Sequence, residues 1–165
     1  MRKPILVALL GLALPAAAFA ADTPSPTGLA KTACQSERGQ SGTQTFKVIY
    51  AAKSTSTAMT ACVDKRDGAA ATNLKNAAQA CKAERAADPA AFTTKYGTNK
   101  NGRNAYGKCV SAKAREAAAQ QTTARVNAAK SCKKLKSEQK AQFEQAYGTK
   151  KSAFGKCVSK MARAS

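Results

Sequence analysis

A cysteine-bounded segment recurs three times along the chain, and any fold must satisfy all three copies at once. The clearest copy is Cys81 to Cys109, CKAERAADPAAFTTKYGTNKNGRNAYGKC. The second is Cys132 to Cys157, CKKLKSEQKAQFEQAYGTKKSAFGKC, and the most diverged is Cys34 to Cys62, CQSERGQSGTQTFKVIYAAKSTSTAMTAC. Counted from the first cysteine, a Phe falls eleven or twelve positions on (Phe46, Phe92, Phe143) and a Tyr four after it (Tyr50, Tyr96, Tyr147). Residues four apart share one face of a helix. Counted from the second cysteine, a large apolar residue stands three before it (Met59, Tyr106, Phe154) and a Val one after (Val63, Val110, Val158), again four apart. Each unit therefore reads as a helix carrying the first Cys, a short helix displaying Phe and Tyr, a turn, and a helix carrying the second Cys. Repetition of this kind constrains architecture before any other signal.

Local chemistry supports that division. Asp88-Pro89 reads as an N-cap followed by proline at the first helical position, and Gly97 and Gly148, each just after the Tyr, read as C-caps that tolerate positive φ. In the first unit Tyr50 is followed by Ala51 and Ala52, so the glycine cap is missing there.

Met1 to Ala20 has two cations (Arg2, Lys3), the apolar run ILVALLGLALPAAAF and the small-residue pattern Ala18-Phe19-Ala20, which together predict a secretory signal peptide over 1–20, cleaved before Ala21. No later stretch approaches the roughly 18 apolar residues of a membrane span. The expectation is a protein outside the cytoplasm, secreted or in the periplasm or cell envelope, with no membrane span. Six cysteines in an exported chain imply a disulfide framework. Six pair in about 15 ways, but a repeat that begins and ends with Cys favours local closure as Cys34–Cys62, Cys81–Cys109 and Cys132–Cys157. Zinc is the competing use, and the absence of histidine and of any C-x2-C pair argues against it. A thioredoxin-like redox pair fails on the same spacing. No cofactor or metal is expected.

Beyond residue 20 the chain has only three Leu, five Val, one Ile and two Met besides its eight aromatics, so the core must be largely alanine. Thin cores are commonly supplemented with disulfides. Residues 21–28, ADTPSPTG, read as a flexible leader, and 29–165 as one disulfide-stapled helical repeat domain. A first helix is expected from Leu29 to Arg38, and a long second one from Ser54–Thr57 to Ala87, with Gly68 its one expected irregularity. A long third helix is expected from Asn101–Asn104 to Ser137, its inward stripe running Tyr106, Val110, Ala114, Ala117, Gln121, Ala124, Ala128, Cys132 and Leu135. Local closure of the disulfides makes the second and third helices antiparallel. The fold class is all-α: an elongated helical hairpin, a bundle-like array of three Cys-stapled units without strands, with a terminal helix packed on each arm.

The chain carries 28 Lys+Arg against 9 Asp+Glu, and removal of Arg2 and Lys3 leaves a net +17. The excess concentrates in the last unit, where Lys130, Lys133, Lys134, Lys136, Lys140, Lys150, Lys151, Lys156, Lys160 and Arg163 face only Glu138 and Glu144. Such a field draws in polyanions and makes their binding salt-dependent. The nine lysines of that set are the candidate polyanion-binding residues. Outside the cytoplasm the partners of matching charge are anionic envelope polymers, acidic polysaccharides, anionic lipid headgroups and, nonspecifically, nucleic acid. The plainer use of the same charge is solubility, since the cations are interspersed with Ala, Gln and Ser. A membrane-active helix is disfavoured because the face opposite the cations is mostly Ala.

Enzymatic chemistry finds little support. Histidine is absent and no phosphate loop, nucleophile elbow or metal spacing occurs. Glu37 and Glu84 both stand three after a first Cys, but the third unit has Leu135 there, which suits a helix-surface salt bridge or packing position better than catalysis.

The Y-G-T turn and G-K-C-V segment resemble repeat units of secreted bacterial proteins of unknown function. The resemblance rests on Phe92, Tyr96-Gly97-Thr98 and Gly107-Lys108-Cys109-Val110, then Phe143, Tyr147-Gly148-Thr149 and Gly155-Lys156-Cys157-Val158, with only Phe46, Tyr50 and Cys62-Val63 in the first unit. It implies an exported, cysteine-stapled helical repeat and no activity. The expected role is non-enzymatic, an exported binding or structural protein adhering to polyanions through its basic surface. The alternative is a disulfide-rigid scaffold or protein-interaction module whose charge serves solubility.

Overall fold

The protein is described by a computed structural model over residues 23–164, so the signal peptide expected over 1–20 and the first two residues of the expected leader lie outside the described residues. Seven helices and no strands occur among the described residues: α1 (Pro26–Ser41), α2 (Thr43–Ile49), α3 (Thr55–Ala87), α4 (Pro89–Tyr96), α5 (Ala105–Glu138), α6 (Lys140–Tyr147) and α7 (Ala153–Arg163). Each unit is a Cys-bearing helix, a short Phe/Tyr helix and a second Cys-bearing helix. The long helices α3 and α5 each serve two units, ending one and beginning the next.

Helix starts follow local chemistry. Ser54 accepts a hydrogen bond from the Thr57 N–H at 3.1 Å, and Asp88 accepts one from the Ala91 N–H at 2.9 Å, with Pro89 opening α4. The first helix starts earlier than composition suggests. Ser25 caps it through the Gly28 N–H at 3.0 Å and Pro26 sits in its first turn, so Pro26–Gly28 belong to α1 and not to a leader. Gly68 lies inside α3 without interrupting it, because flanking turns supply its helical hydrogen bonds.

The disulfides join Cys34 to Cys62, Cys81 to Cys109 and Cys132 to Cys157, with Cα–Cα distances of 6.0, 6.0 and 6.1 Å. Closing loops of this length constrains the unfolded chain by about 3–4 kcal/mol each in the chain-entropy picture. The second bond ties the end of α3 to the start of α5 and makes them an antiparallel hairpin, each arm roughly 50 Å long at helical rise. Alanines on the buried faces, Ala58, Ala70 and Ala77 on α3 and Ala114, Ala118, Ala128 and Ala129 on α5, let the backbones approach closely.

A terminal helix packs on each arm, α1 on α3 and α7 on α5, but α1 also packs against α5 and so lies in the groove between the arms. Two cores result. One unites the first and third units: Cys34, Phe46, Ile49, Tyr50, Cys62, Cys132, Phe143, Phe154, Cys157 and Val158. The other gathers the second unit under the first half of α1, with Leu29, Ala30, Cys81, Phe92, Cys109 and Val110. Because α1 covers it from a second side, the buried stripe of α5 runs Val110, Ala114, Ala118, Thr122, Val126, Ala129 and Cys132. It keeps the helical period but passes one position away from Ala117 and Gln121 and two from Ala124, and Gln121 is exposed.

Glycine and its substitute mark the unit joints. Gly148 takes φ 87°, whereas Gly97 is extended at φ −74° and is required for space: a Cβ there would stand 2.5 Å from the Thr93 carbonyl oxygen. At the equivalent place in the first unit Ala51 adopts φ 52°, the one non-glycine in that region among the described residues. It closes a Schellman turn, with the Ala52 N–H donating to Lys47 O at 2.9 Å and the Ala51 N–H to Val48 O at 3.2 Å. The cap is thus present, made by alanine. Left-handed backbone costs an L-residue about 1–2 kcal/mol, and glycine returns about 0.4–1 kcal/mol through the unfolded chain. Ala51→Gly is therefore expected to raise unfolding stability by up to about 1 kcal/mol in urea with disulfides intact, and Gly148→Ala to lower it.

Candidate functional site

The repeat places chemistry at two positions that recur in every unit, three after the first Cys and four after the second. In the first unit these are Glu37 and Arg66, whose Nη2 donates to Glu37 Oε2 at 2.7 Å. In the second they are Glu84 and Lys113, 3.2 Å apart. In the third they are Leu135 and Met161, both packed against the apolar core. Charge is matched by charge and hydrocarbon by thioether, so the position acts as one interhelical pair rather than as two independent residues. The Tyr of each of the first two short helices reaches the same acid: the Tyr50 hydroxyl donates to Glu37 Oε2 at 3.1 Å, and Tyr96 to Glu84 at 3.2 Å.

Glu37 is not a surface residue. It is fully buried, and Arg125 from α5 also donates through Nε to both its carboxylate oxygens at 3.2 Å. Arg125 Nη2 donates to the Tyr50 oxygen at 3.1 Å, and Arg66 Nη1 donates to Thr122 Oγ1 at 3.0 Å. Three donors, Tyr50 at the end of α2, Arg66 of α3 and Arg125 of α5, thus meet at the one carboxylate of α1, and Thr122 of α5 holds Arg66 in place. Burial, then the adjacent Glu37 charge, push the Tyr50 phenol above its ordinary value. Glu84 sits at the surface; hydrogen bonds from Lys95, first, and from Lys113 and Tyr96 hold its carboxyl below the usual range.

The aromatics serve the core. Phe46, Phe92, Phe143, Phe154 and Tyr50 are buried, and each Phe–Tyr pair meets at a tilt with centroids 4.9, 4.9 and 5.3 Å apart.

The nine lysines expected to meet polyanions are all exposed, but they do not form one patch. Lys130, Lys133 and Lys134 lie along α5. Lys156 and Lys160 flank a shallow groove on α7 with Arg163. Lys136, Lys140, Lys150 and Lys151 surround a cleft of about 750 Å³, and there the first unit adds Lys47 and Lys53, which the charge count along the sequence does not single out. The signal for them is the topology, since the Cys34–Cys62 and Cys132–Cys157 bonds fasten the first and third units to the same end of the hairpin. Six ammoniums face one carboxylate among the described residues of the cleft, Glu144, which lies 3.8 Å from Lys140. The floor is apolar, with Phe143, Phe154 and Val48, and Val48 is the one large hydrophobic side chain left exposed among the described residues. Gly155 allows this closure: a Cβ there would collide with the Ile49 carbonyl oxygen, so α7 and the end of α2 meet backbone to backbone.

Among the described residues all six cysteines are in disulfides, and no helix is long and apolar enough to cross a membrane. Comparison with protein-family models, curated proteins and solved structures finds no match for the chain.

Full burial of the acid in one unit and its partial exposure in the next should separate their variants. Glu37→Gln leaves two guanidiniums without their anion and should lower stability on the order of 3 kcal/mol, whereas Glu84→Gln, at a solvated pair, should leave the urea midpoint nearly unchanged. Alkali should act through Tyr50. A phenol whose folded pKa is raised stabilises the fold below its unfolded pKa and loses that contribution as pH rises through the folded value. Tyr50 should therefore ionise late in an ultraviolet titration above pH ~10, and Tyr50→Phe should remove that lagging step along with part of the alkaline loss of stability.

Proposed function

We propose that the protein is an exported, non-enzymatic binding protein that adheres to polyanions through the lysine-rich end where its first and third units meet. The observation that carries this reading is the cleft itself: six lysines drawn from separate units around one opening, with a single carboxylate among its described residues to offset them. A lysine is a strongly hydrated point charge that holds phosphates or sulfates without fixing their geometry. An open, apolar-floored groove with a cationic rim suits a flexible polymer whose anionic groups repeat along it. The three disulfides favour an oxidising compartment, periplasmic or extracellular, where anionic envelope polymers and acidic polysaccharides are the matching partners. The resemblance of the Y-G-T and G-K-C-V segments to secreted bacterial repeat units supports the same placement.

The test uses a panel of purified envelope polymers, an acidic polysaccharide and DNA, each titrated at two salt concentrations. Neutralising Lys47, Lys53, Lys150 and Lys151 to Gln should weaken binding at physiological salt roughly tenfold or more and flatten the salt dependence by about one unit of slope for each phosphate no longer neutralised. Neutralising Lys31, Lys75, Lys82 and Lys100, an equal charge elsewhere, should do much less. Equal weakening in both variants would assign the charge to solubility and favour the rigid-scaffold role.

A further inference from the structure

The lysine cleft leaves unexplained the charge buried in the middle of the molecule. Glu37 supplies one carboxylate to two guanidiniums, those of Arg66 and Arg125, so the cluster keeps one uncompensated positive charge where solvent is largely excluded. The Arg66 side chain is only 9% exposed, and its Nε is buried without a hydrogen-bond partner. A buried charge short of partners is costly, and buried charges in folded proteins are ordinarily paired and hydrogen-bonded.

Both arginines line a second cleft, of about 570 Å³, formed where α3, α5 and α7 converge. Lys65 joins Arg66 from α3, Gln121 joins Arg125 from α5, and Ser159 and Arg163 come from α7. Among the described residues no Asp or Glu lines it. Lys65 and Arg125 also lie over the Tyr50 ring, with centroid distances of 5.6 and 5.5 Å, which holds them beside the buried cluster.

We propose that this cleft binds a compact tetrahedral oxyanion, a phosphate or sulfate group, either free or as the monoester of a larger molecule. Donors arrive from three helices, which suits oxygens that point in different directions better than the two coplanar oxygens of a carboxylate. Guanidiniums match such oxygens in pairs, and Lys65, Ser159 and Gln121 supply the remaining donors. Bound there, the anion balances the charge that Glu37 leaves over and links α7 to the hairpin. The site stands apart from the lysine-rich end and does not depend on polymer binding there.

The test is thermal unfolding of the oxidised protein against sulfate, inorganic phosphate and glucose 6-phosphate, with chloride matched for ionic strength. The expected result is a saturable rise in Tm at low millimolar anion. A Lys65→Gln/Arg163→Gln variant, altered at exposed rim positions, should need at least tenfold more anion for half the effect, read from its own anion-free Tm. Lys150→Gln/Lys151→Gln should respond as the unaltered protein does. A half-effect at tenfold lower concentration for the monoester than for inorganic phosphate would assign the group to a larger molecule, and the reverse order to the free ion. A rise that only tracks ionic strength, or an equal response in the rim variant, overturns the proposal and leaves Arg66 Nε to a water in the adjoining void of about 10 Å³. Loss of the response in the Lys150/Lys151 variant overturns it too, by moving the anion to the lysine end.

Discussion

The bond between Cys81 and Cys109 sets α3 against α5, and the remaining helices take their places from the hairpin it closes. Its importance comes from what lies between the arms. Ala58, Ala70, Ala77, Ala114 and Ala118 bury little area each, so hydrophobic transfer alone orders the long helices weakly. A cross-link acts on the unfolded chain instead and does not need a large core. Alanine then becomes an advantage, because it brings the backbones close and leaves a groove into which α1 fits between both arms. The other two disulfides fasten α1 and α7 at the opposite end, where the large side chains are concentrated.

Within that frame the recurring pair of positions shows how a repeat diverges without losing its shape. Glu37 with Arg66, Glu84 with Lys113 and Leu135 with Met161 occupy one geometric niche between a first-Cys helix and a second-Cys helix. The niche tolerates a partly exposed ion pair in the second unit and hydrocarbon in the third. In the first unit it is sealed by α1, α5 and Tyr50, and the same ion pair becomes a buried node to which Arg125 must also contribute. Removing one partner from such a node is far more damaging than removing one from a solvated pair, because the charge left behind has no water to turn to.

How much of this can be read without coordinates varies by element. The helices bounded by Ser54 and by Asp88-Pro89 are legible because capping is decided within four residues. The disulfide pairing is legible because repetition singles out local closure among the alternatives. The start of α1 escapes a reading by composition although Ser25-Pro26 carries the same kind of signal, since the surrounding proline and threonine content resembles a linker. The α5 stripe expected from periodicity lies one to two positions off through its middle, because periodicity fixes the spacing of a buried face but not its azimuth when two neighbours cover it. Arg66 can be paired with Glu37 by comparing the third-unit residues at both positions, whereas Arg125, which stands outside the repeat, carries no such signal.

The sequence by itself determined the all-helical class, the three units, the cysteine pairing and the excess of cationic charge, because each depends on neighbours in the chain or on repetition along it. Tertiary structure decided where those features meet. It set α1 against the second arm as well as the first, buried Glu37 while leaving Glu84 at the surface, and joined Lys47 and Lys53 to lysines about a hundred residues away. Burial and electrostatic proximity are properties of distance in space, and chain order constrains that distance only through the closures that the disulfides impose.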